Sequence, residues 1–319
     1  MDVVEHRTIT VNGLSMHVAE AGSGPLVLLL HGFPELWYSW RHQLPALAAA
    51  GYHAVAPDLR GHGRTEAPPR LEDYGMTEHV ADAVGLLDAL GESTAVVVGH
   101  DWGANTAWAA AEMHPDRFSA VAALSVPYRP RTPHPLPTVL RAQAGERFNW
   151  MLYFQEPGVA EAAFSADVTR TLRLVMYGLS GNAGDLGVRL LTGLPRNAVL
   201  LNEIPEPTTL PTWLTDADLA YYVGEYERTG FTGGLNRYRN ADRDWHLLPQ
   251  LGTGTITQPS LFIGGALDTA VRFTDPTGMR ERVPNLTDPV VLADTGHWIQ
   301  QERPEEVNEA LLDFLRIVG

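Results

Sequence analysis

The apolar run Ala95-Val96-Val97-Val98 passes directly into Gly99-His100-Asp101-Trp102-Gly103, and an Ala-rich, helix-like stretch follows. This is the layout of the G-x-S-x-G elbow, a strand that turns sharply into a helix and lifts one side chain above the sheet. Here the lifted side chain is the carboxylate of Asp101. A serine in that seat would need a base to deprotonate it, whereas an aspartate is already ionised near neutral pH. A carboxylate attacks esters and amides poorly, because the carboxylate it would displace is the better leaving group. It can open a strained or halogenated sp3 carbon and form an ester with it. One position thus restricts the local fold and the reaction together.

The rest of the chain alternates in the same way. Arg7 to Glu20 reads as a β-hairpin around Asn12-Gly13. Leu26 to Leu30 is continuously apolar, as expected of a strand buried on both faces of a parallel sheet. Helical pattern follows from His42 to Ala50, strand at His53 to Ala56, helix at Thr77 to Leu90, then the strand before Asp101, its helix to His114, and a strand at Ser119 to Leu124. Such alternation predicts an α/β protein with a mostly parallel, doubly wound sheet. The pattern breaks at Pro127 to Pro137, which holds five prolines. Helix-like pieces without strand signal continue to about Asp244. Strand sequence resumes at Ser260 to Gly264 and Val290 to Leu292, before an amphipathic helix from Pro304 to Ile317. The expected organisation is therefore a core of residues 1–127 and 245–319, with a helical cap, 128–244, inserted after the sixth strand.

Composition removes several functional classes. There are no cysteines, which excludes disulfides, thiolate metal sites and cysteine nucleophiles, and is compatible with the cytosol. A net charge of −15 disfavours nucleic acid as a partner. No window approaches the length of an apolar membrane span, and the N-terminal residues lack the basic and apolar regions of an export signal, so a cytoplasmic location without membrane partner is expected. A homodimer is neither required nor excluded. Several histidines (His31, His62, His100, His297) lie near strand ends, but without metal-binding spacing; neither a metal nor a cofactor is expected.

Reactive groups in open α/β sheets collect at the carboxyl ends of strands. Asp101 stands at one such end, Asp268 follows Leu261 to Gly265, and His297 follows Val290 to Leu292. Nucleophile, acid and histidine in that chain order match the α/β-hydrolase order. Over nearly its whole length the chain resembles the soluble epoxide hydrolases of the α/β-hydrolase superfamily. The matching pieces are His31-Gly32-Phe33-Pro34, Asp58-Leu59-Arg60-Gly61-His62-Gly63-Arg64, Gly99-His100-Asp101-Trp102-Gly103, Tyr153-Phe154-Gln155-Glu156-Pro157-Gly158, Leu235-Asn236-Arg237-Tyr238-Arg239-Asn240 and Gly296-His297-Trp298. The resemblance implies an α/β-hydrolase fold and hydrolysis of an epoxide to a vicinal diol. Asp101 would be the nucleophile, His297 the general base that activates water, and Asp268 its supporting acid. The backbone N–H groups of Phe33 and Trp102 would form the oxyanion hole.

That family usually offers two cap tyrosines to the oxirane oxygen. Tyr238 matches one; the other position, five residues before Gln155, holds Trp150, whose indole N–H donates a hydrogen bond but is no practical acid. Tyr238 would therefore carry the proton donation, with Trp150 polarising and Tyr153 one helical turn away. Phe33, Trp37, Trp102, Trp150, Tyr153, Phe154 and Trp298 are the expected lining of a pocket for a small apolar epoxide. Two alternatives stay open. A haloalkane-dehalogenase-type hydrolase would use the same nucleophile with tryptophan N–H groups on the departing halide, although Phe33 stands where that family often holds an Asn ligand. A non-catalytic ligand-binding relative could keep the same residues.

Overall fold

Strand β3 (Leu26–Leu30) is buried at every position, which is stable only where both faces of a sheet are covered. The computed structural model describes residues 4–192, 194–196, 198–272 and 276–319. It places β3 inside an eight-stranded sheet with β1 (Glu5–Val11), β2 (Leu14–Ala21), β4 (His53–Pro57), β5 (Ala95–His100), β6 (Phe118–Leu124), β7 (Ser260–Gly265) and β8 (Val290–Leu292), in the order β1-β2-β4-β3-β5-β6-β7-β8. β1 and β2 form the expected hairpin, with Asn12 and Gly13 both at positive φ in its turn. β2 pairs antiparallel with β4, and every remaining pair is parallel.

Alternation along each strand divides two cores. Leu28, Val97, Val121 and Phe262 face one side, where they meet α2 (Met76–Leu90) and α3 (Trp102–Met113). Val27, Leu29, Val98 and Ile263 face the other, against α1 (Gln43–Ala49) and the C-terminal residues Leu311, Phe314 and Leu315. From β3 the chain steps one way to β4 and later the other way to β5. Ligand crevices form at such a reversal, beyond the strands' carboxyl ends. His31 and Asp101 both lie there.

Among the described residues, the chain between β6 and β7 forms helices and no strand: α4 (Leu136–Ala144), α5 (Trp150–Tyr153), α6 (Val159–Ser165), α7 (Val168–Gly178), α8 (Leu186–Thr192), α9 (Asp216–Thr229), α10 (Thr232–Arg239) and α11 (Ala241–Leu247). α5 to α10 share a third apolar cluster, which Phe33 and Leu36 join from the core. After β7 come α12 (Thr269–Arg272), α13 (Ile299–Glu302) and α14 (Pro304–Val318).

The elbow depends on contact distance. Asp101 has φ 52° and ψ −118°, outside the regions L residues favour. It is held there because α3 starts hard against β3: a Cβ on Gly103 would run into the Leu30 carbonyl, and one on Gly99 into the Gly103 carbonyl. Gly103→Ala is therefore expected to destabilise the fold by at least about 1–3 kcal/mol, since backbone and not a flexible side chain must yield. Gly224→Ala, in a helix with open space at its Cβ, is expected to be neutral or to stabilise by up to about 1 kcal/mol. Chemical unfolding of both variants checks the contrast.

Candidate active site

Asp101 ends the β5 strand–turn–helix and caps α3, whose positive N-terminal end favours a carboxylate there. Its two oxygens are unequal. Oδ1 accepts the Phe33 N–H at 3.0 Å, and the Trp102 N–H also donates to the carboxylate. Oδ2 faces His297 Nε2 at 3.8 Å. Burial raises the Asp101 pKa; His297, His100 and the two N–H groups pull the other way without cancelling it.

His297 lies in the loop after β8, and Asp268 in the loop after β7. His297 Nδ1 is 3.2 and 3.3 Å from the two Asp268 oxygens. Burial by itself would lower the imidazole pKa, but Asp268 and then Asp101 outweigh it and carry it up to about 9. Asp268 is fully buried; burial would raise its pKa, yet the His297 charge and hydrogen bond hold it below the ordinary value. The pair is thus an imidazolium between two carboxylates in the resting protein. The loop is fixed by Glu302, whose carboxylate accepts N–H groups from Gly296 (3.0 Å), Trp298 (3.0 Å) and Gly181 (2.9 Å). His297 N–H donates to Leu179 O at 2.8 Å, so the insertion itself anchors the histidine loop.

A second buried pair lies behind the first. Glu35 Oε2 is 2.5 Å from His100 Nδ1, and His100 Nε2 is 2.7 Å from the His297 carbonyl oxygen. Both His100 ring nitrogens are thus engaged by oxygen atoms. Glu35 also accepts from Gly32 N–H (2.8 Å) and the Gln300 amide (2.8 Å). Burial would raise the Glu35 pKa, but His100 overrides it and brings it to about 2.

The insertion contributes an aromatic roof. The Tyr238 ring packs edge-on against Trp102 (4.9 Å between centroids), Phe154 (5.0 Å), Trp150 (5.4 Å) and Phe33 (5.9 Å). Burial and the nearby Asp101 charge push its hydroxyl pKa well above the usual value, so it stays protonated. The specific cap motifs explain how it is held. Gln155 donates its amide to Tyr238 O at 3.1 Å, and Arg239 bonds Glu161, Asn236 and the carbonyls of Phe154 and Glu156. A small apolar pocket adjoins Tyr238 and Trp102, lined by Leu136, Leu140, Met151 and Leu152.

The predicted residues do not all converge. Asp101, His297, Asp268, Phe33, Trp102, Tyr238, Trp150 and Phe154 come together. Trp298 backs His297 at 4.7 Å and spends its indole N–H on Met176 O, 2.7 Å away. Tyr153 turns toward Phe148 (5.6 Å) and the Glu161 charge, and is not among the rings packed on Tyr238. Trp37 packs with Trp40 and Leu44 in the sheet's other core and donates to Tyr221, away from the aromatic roof. Sequence reading passed over Glu35, Ser125, Glu302, Gln155 and the cavity residues. His31 is internally satisfied, donating to Gly32 O and accepting from Leu59 N–H. Among the described residues no group of three or more His, Cys, Asp or Glu is arranged to hold a metal, and no helix is long and apolar enough to cross a membrane.

Comparison with known proteins agrees with this geometry. Residues 25–304 match the family model for the alpha/beta hydrolase fold. Epoxide hydrolase A of Mycobacterium tuberculosis is 47% identical over 317 residues, covering 99% of this chain and 98% of that protein. The crystal structure of epoxide hydrolase A from Mycobacterium thermoresistibile superposes with a TM-score of 0.94 at 47% identity, covering 99% of each chain. That of an epoxide hydrolase from an endophytic Streptomyces gives 0.94 at 49% identity, covering 98% of this chain and 95% of that one.

Arg239 offers a test of the roof independent of chemistry. Removing a buried guanidinium takes the ion-pair partner from Glu161 and a donor from the Phe154 carbonyl, so Arg239→Ala is expected to destabilise by about 3–5 kcal/mol. The measurement is chemical denaturation, with Arg239→Lys expected to recover only part of the loss.

Proposed function

This chain belongs to the α/β-hydrolase family and is an epoxide hydrolase, and we propose that it works through a covalent ester on Asp101. Residues 1–127 and 245–319 act as the catalytic core and 128–244 as the cap. Asp101 Oδ2 attacks one oxirane carbon; that C–O bond forms as the ring C–O bond breaks, and its electron pair goes to the oxirane oxygen. Tyr238 gives its proton to that oxygen, with the Trp150 N–H polarising it. Ester formation removes the Asp101 charge, one of the two carboxylates that hold a proton on His297. The ring then releases that proton, which restores Tyr238.

Neutral His297, held by Asp268, next takes a proton from water, whose oxygen attacks the Asp101 carbonyl carbon. Oδ1 becomes the oxyanion, facing the N–H groups of Phe33 and Trp102; losing one such donor ordinarily costs about 10²–10³ in rate. Collapse frees the diol with a proton returned from the imidazolium, and the Asp101 proton passes to His297. The sum is epoxide plus water to diol, with no cofactor. The observation that carries this reading is the unequal Asp101 carboxylate, with Oδ1 accepting the Phe33 N–H, the Trp102 N–H also donating to the carboxylate, and Oδ2 turned toward His297. The apolar cavity beside Tyr238 supports a small apolar epoxide as substrate, met in the cytoplasm without nucleic acid or membrane.

His297→Gln is expected to react once and stop, leaving the substrate's mass on Asp101, visible by intact-protein and peptide mass spectrometry. Absence of that adduct with any epoxide the wild type turns over would overturn the two-step scheme. Tyr238→Phe is expected to slow ring opening by about 10²–10⁴, read in single-turnover experiments. Trp150→Phe separates the two chemistries that an aspartate nucleophile allows. A modest loss on epoxides fits the polarising role, whereas a large loss of halide release from haloalkanes, with diol formation intact, would favour dehalogenation.

A further inference from the structure

Ser125, the first residue after β6, is fully buried, yet its backbone sits in the left-handed region at φ 72°. Non-glycine residues avoid that region. Its N–H donates to Ile263 O at 2.9 Å, which locks the turn. The conformation aims Oγ at the histidine: Oγ lies 3.0 Å from His297 Nδ1, closer than either Asp268 oxygen, at 3.2 and 3.3 Å. The hydroxyl also bonds the Asp268 carboxylate. With Nδ1–H as donor, Oγ accepts from the ring and sends its own proton to Asp268. Charge-assisted N–H···O bonds ordinarily run about 2.7–2.9 Å. The direct His297–Asp268 pair is therefore held long, and the serine hydroxyl sits at the junction.

We propose that Ser125 is a positioning residue for ester hydrolysis, its hydroxyl sharing the His297 Nδ1–H with Asp268 and so moderating the carboxylate's hold on the base. The inference rests on the two-step reading above. An unmoderated Asp268 would close on Nδ1 and keep the ring protonated to higher pH, where it cannot take a proton from water. The other charged groups facing His297 are Asp101 from the elbow, Glu35 and His100 behind it, and Glu302 from α13. None of them is altered by a change at Ser125.

Ser125→Gly removes the hydroxyl and suits the left-handed backbone; Ser125→Ala removes it and keeps the strain. Agreement between the two isolates the hydroxyl. Single-turnover quench experiments on styrene oxide would follow ester formation and ester decay across pH. Ester formation, which does not need His297 as a base, is expected to stay within about two-fold of wild type. Closure of the pair from 3.2 Å to about 2.8 Å, at an effective dielectric of about 20, raises the ring's pKa by roughly half a unit. A general base fails as pH falls through its pKa, so the acid limb of ester decay should move up by that amount, about three-fold slower below the limb. The His297 Nδ1–H proton resonance should move downfield. An unmoved limb in both variants, or ester formation slowed as much as decay, would overturn the proposal. Absence of any ester in the wild type would instead overturn the two-step reading itself.

Discussion

Taking a carboxylate out of water costs several kcal/mol unless its surroundings replace the lost hydration, and the site is organised around meeting that cost for Asp101. Two backbone N–H groups, the N-terminal end of α3 and the His297 charge share the task. In the proposed scheme each partner is also the group that a later stage requires: the Phe33 and Trp102 N–H groups would face the oxyanion, and the imidazolium that offsets the resting charge would become a base only when that charge is consumed. Burial raises the Asp101 pKa, and the His297 charge and the N–H groups oppose that rise. A serine in this seat would carry no charge and would place none of these demands on its neighbours.

The charges form an alternating row: Glu35 with His100, then His297 between Asp268 and Asp101. His100 meets His297 through a backbone carbonyl, so the second pair also fixes the histidine loop. In the proposed scheme the tyrosinate left by ring opening would be a buried and costly charge, which favours passage of the His297 proton to it once the Asp101 charge is gone.

The sequence made the core and the reacting groups legible because both have local signatures. The continuous run Leu26 to Leu30 marks a doubly covered strand, and Gly99-His100-Asp101-Trp102-Gly103 encodes a backbone turn that other residues at Gly99 and Gly103 could not make. Strand ends then gave Asp268 and His297. What stayed hidden depends on contacts between distant segments. Ser125 is a small polar residue at a strand end until β7 and the His297 loop close over it. Glu302 reads as a helix charge, but it collects N–H groups from Gly296 and Trp298 in the adjoining loop and from the distant Gly181. Trp37 misled for the opposite reason: aromatic residues near a motif signal a pocket and a core equally well, and only the packing of the turn Trp37–Trp40 decides between them.

The insertion is more than a cover, because its attachments are made through the reacting residues. Leu179 O and Gly181 N–H bind the loop that carries His297, and Met176 O holds the adjoining Trp298. At the other end, α10 stacks Arg237 over Trp102, 4.7 Å from the ring centroid, while its neighbour Tyr238 faces the nucleophile. Buried polar groups that span two units tolerate little relative movement, since separating them exposes unpaired donors and acceptors. Large hinge opening of the cap would break these bonds in the same step that displaced His297 and Tyr238. Under the proposed scheme substrate entry is better served by local motion of α4, whose Leu136 and Leu140 line the pocket beside Tyr238 and make none of these bonds. The roof can then exchange substrate and product while the groups that touch Asp101 keep their geometry.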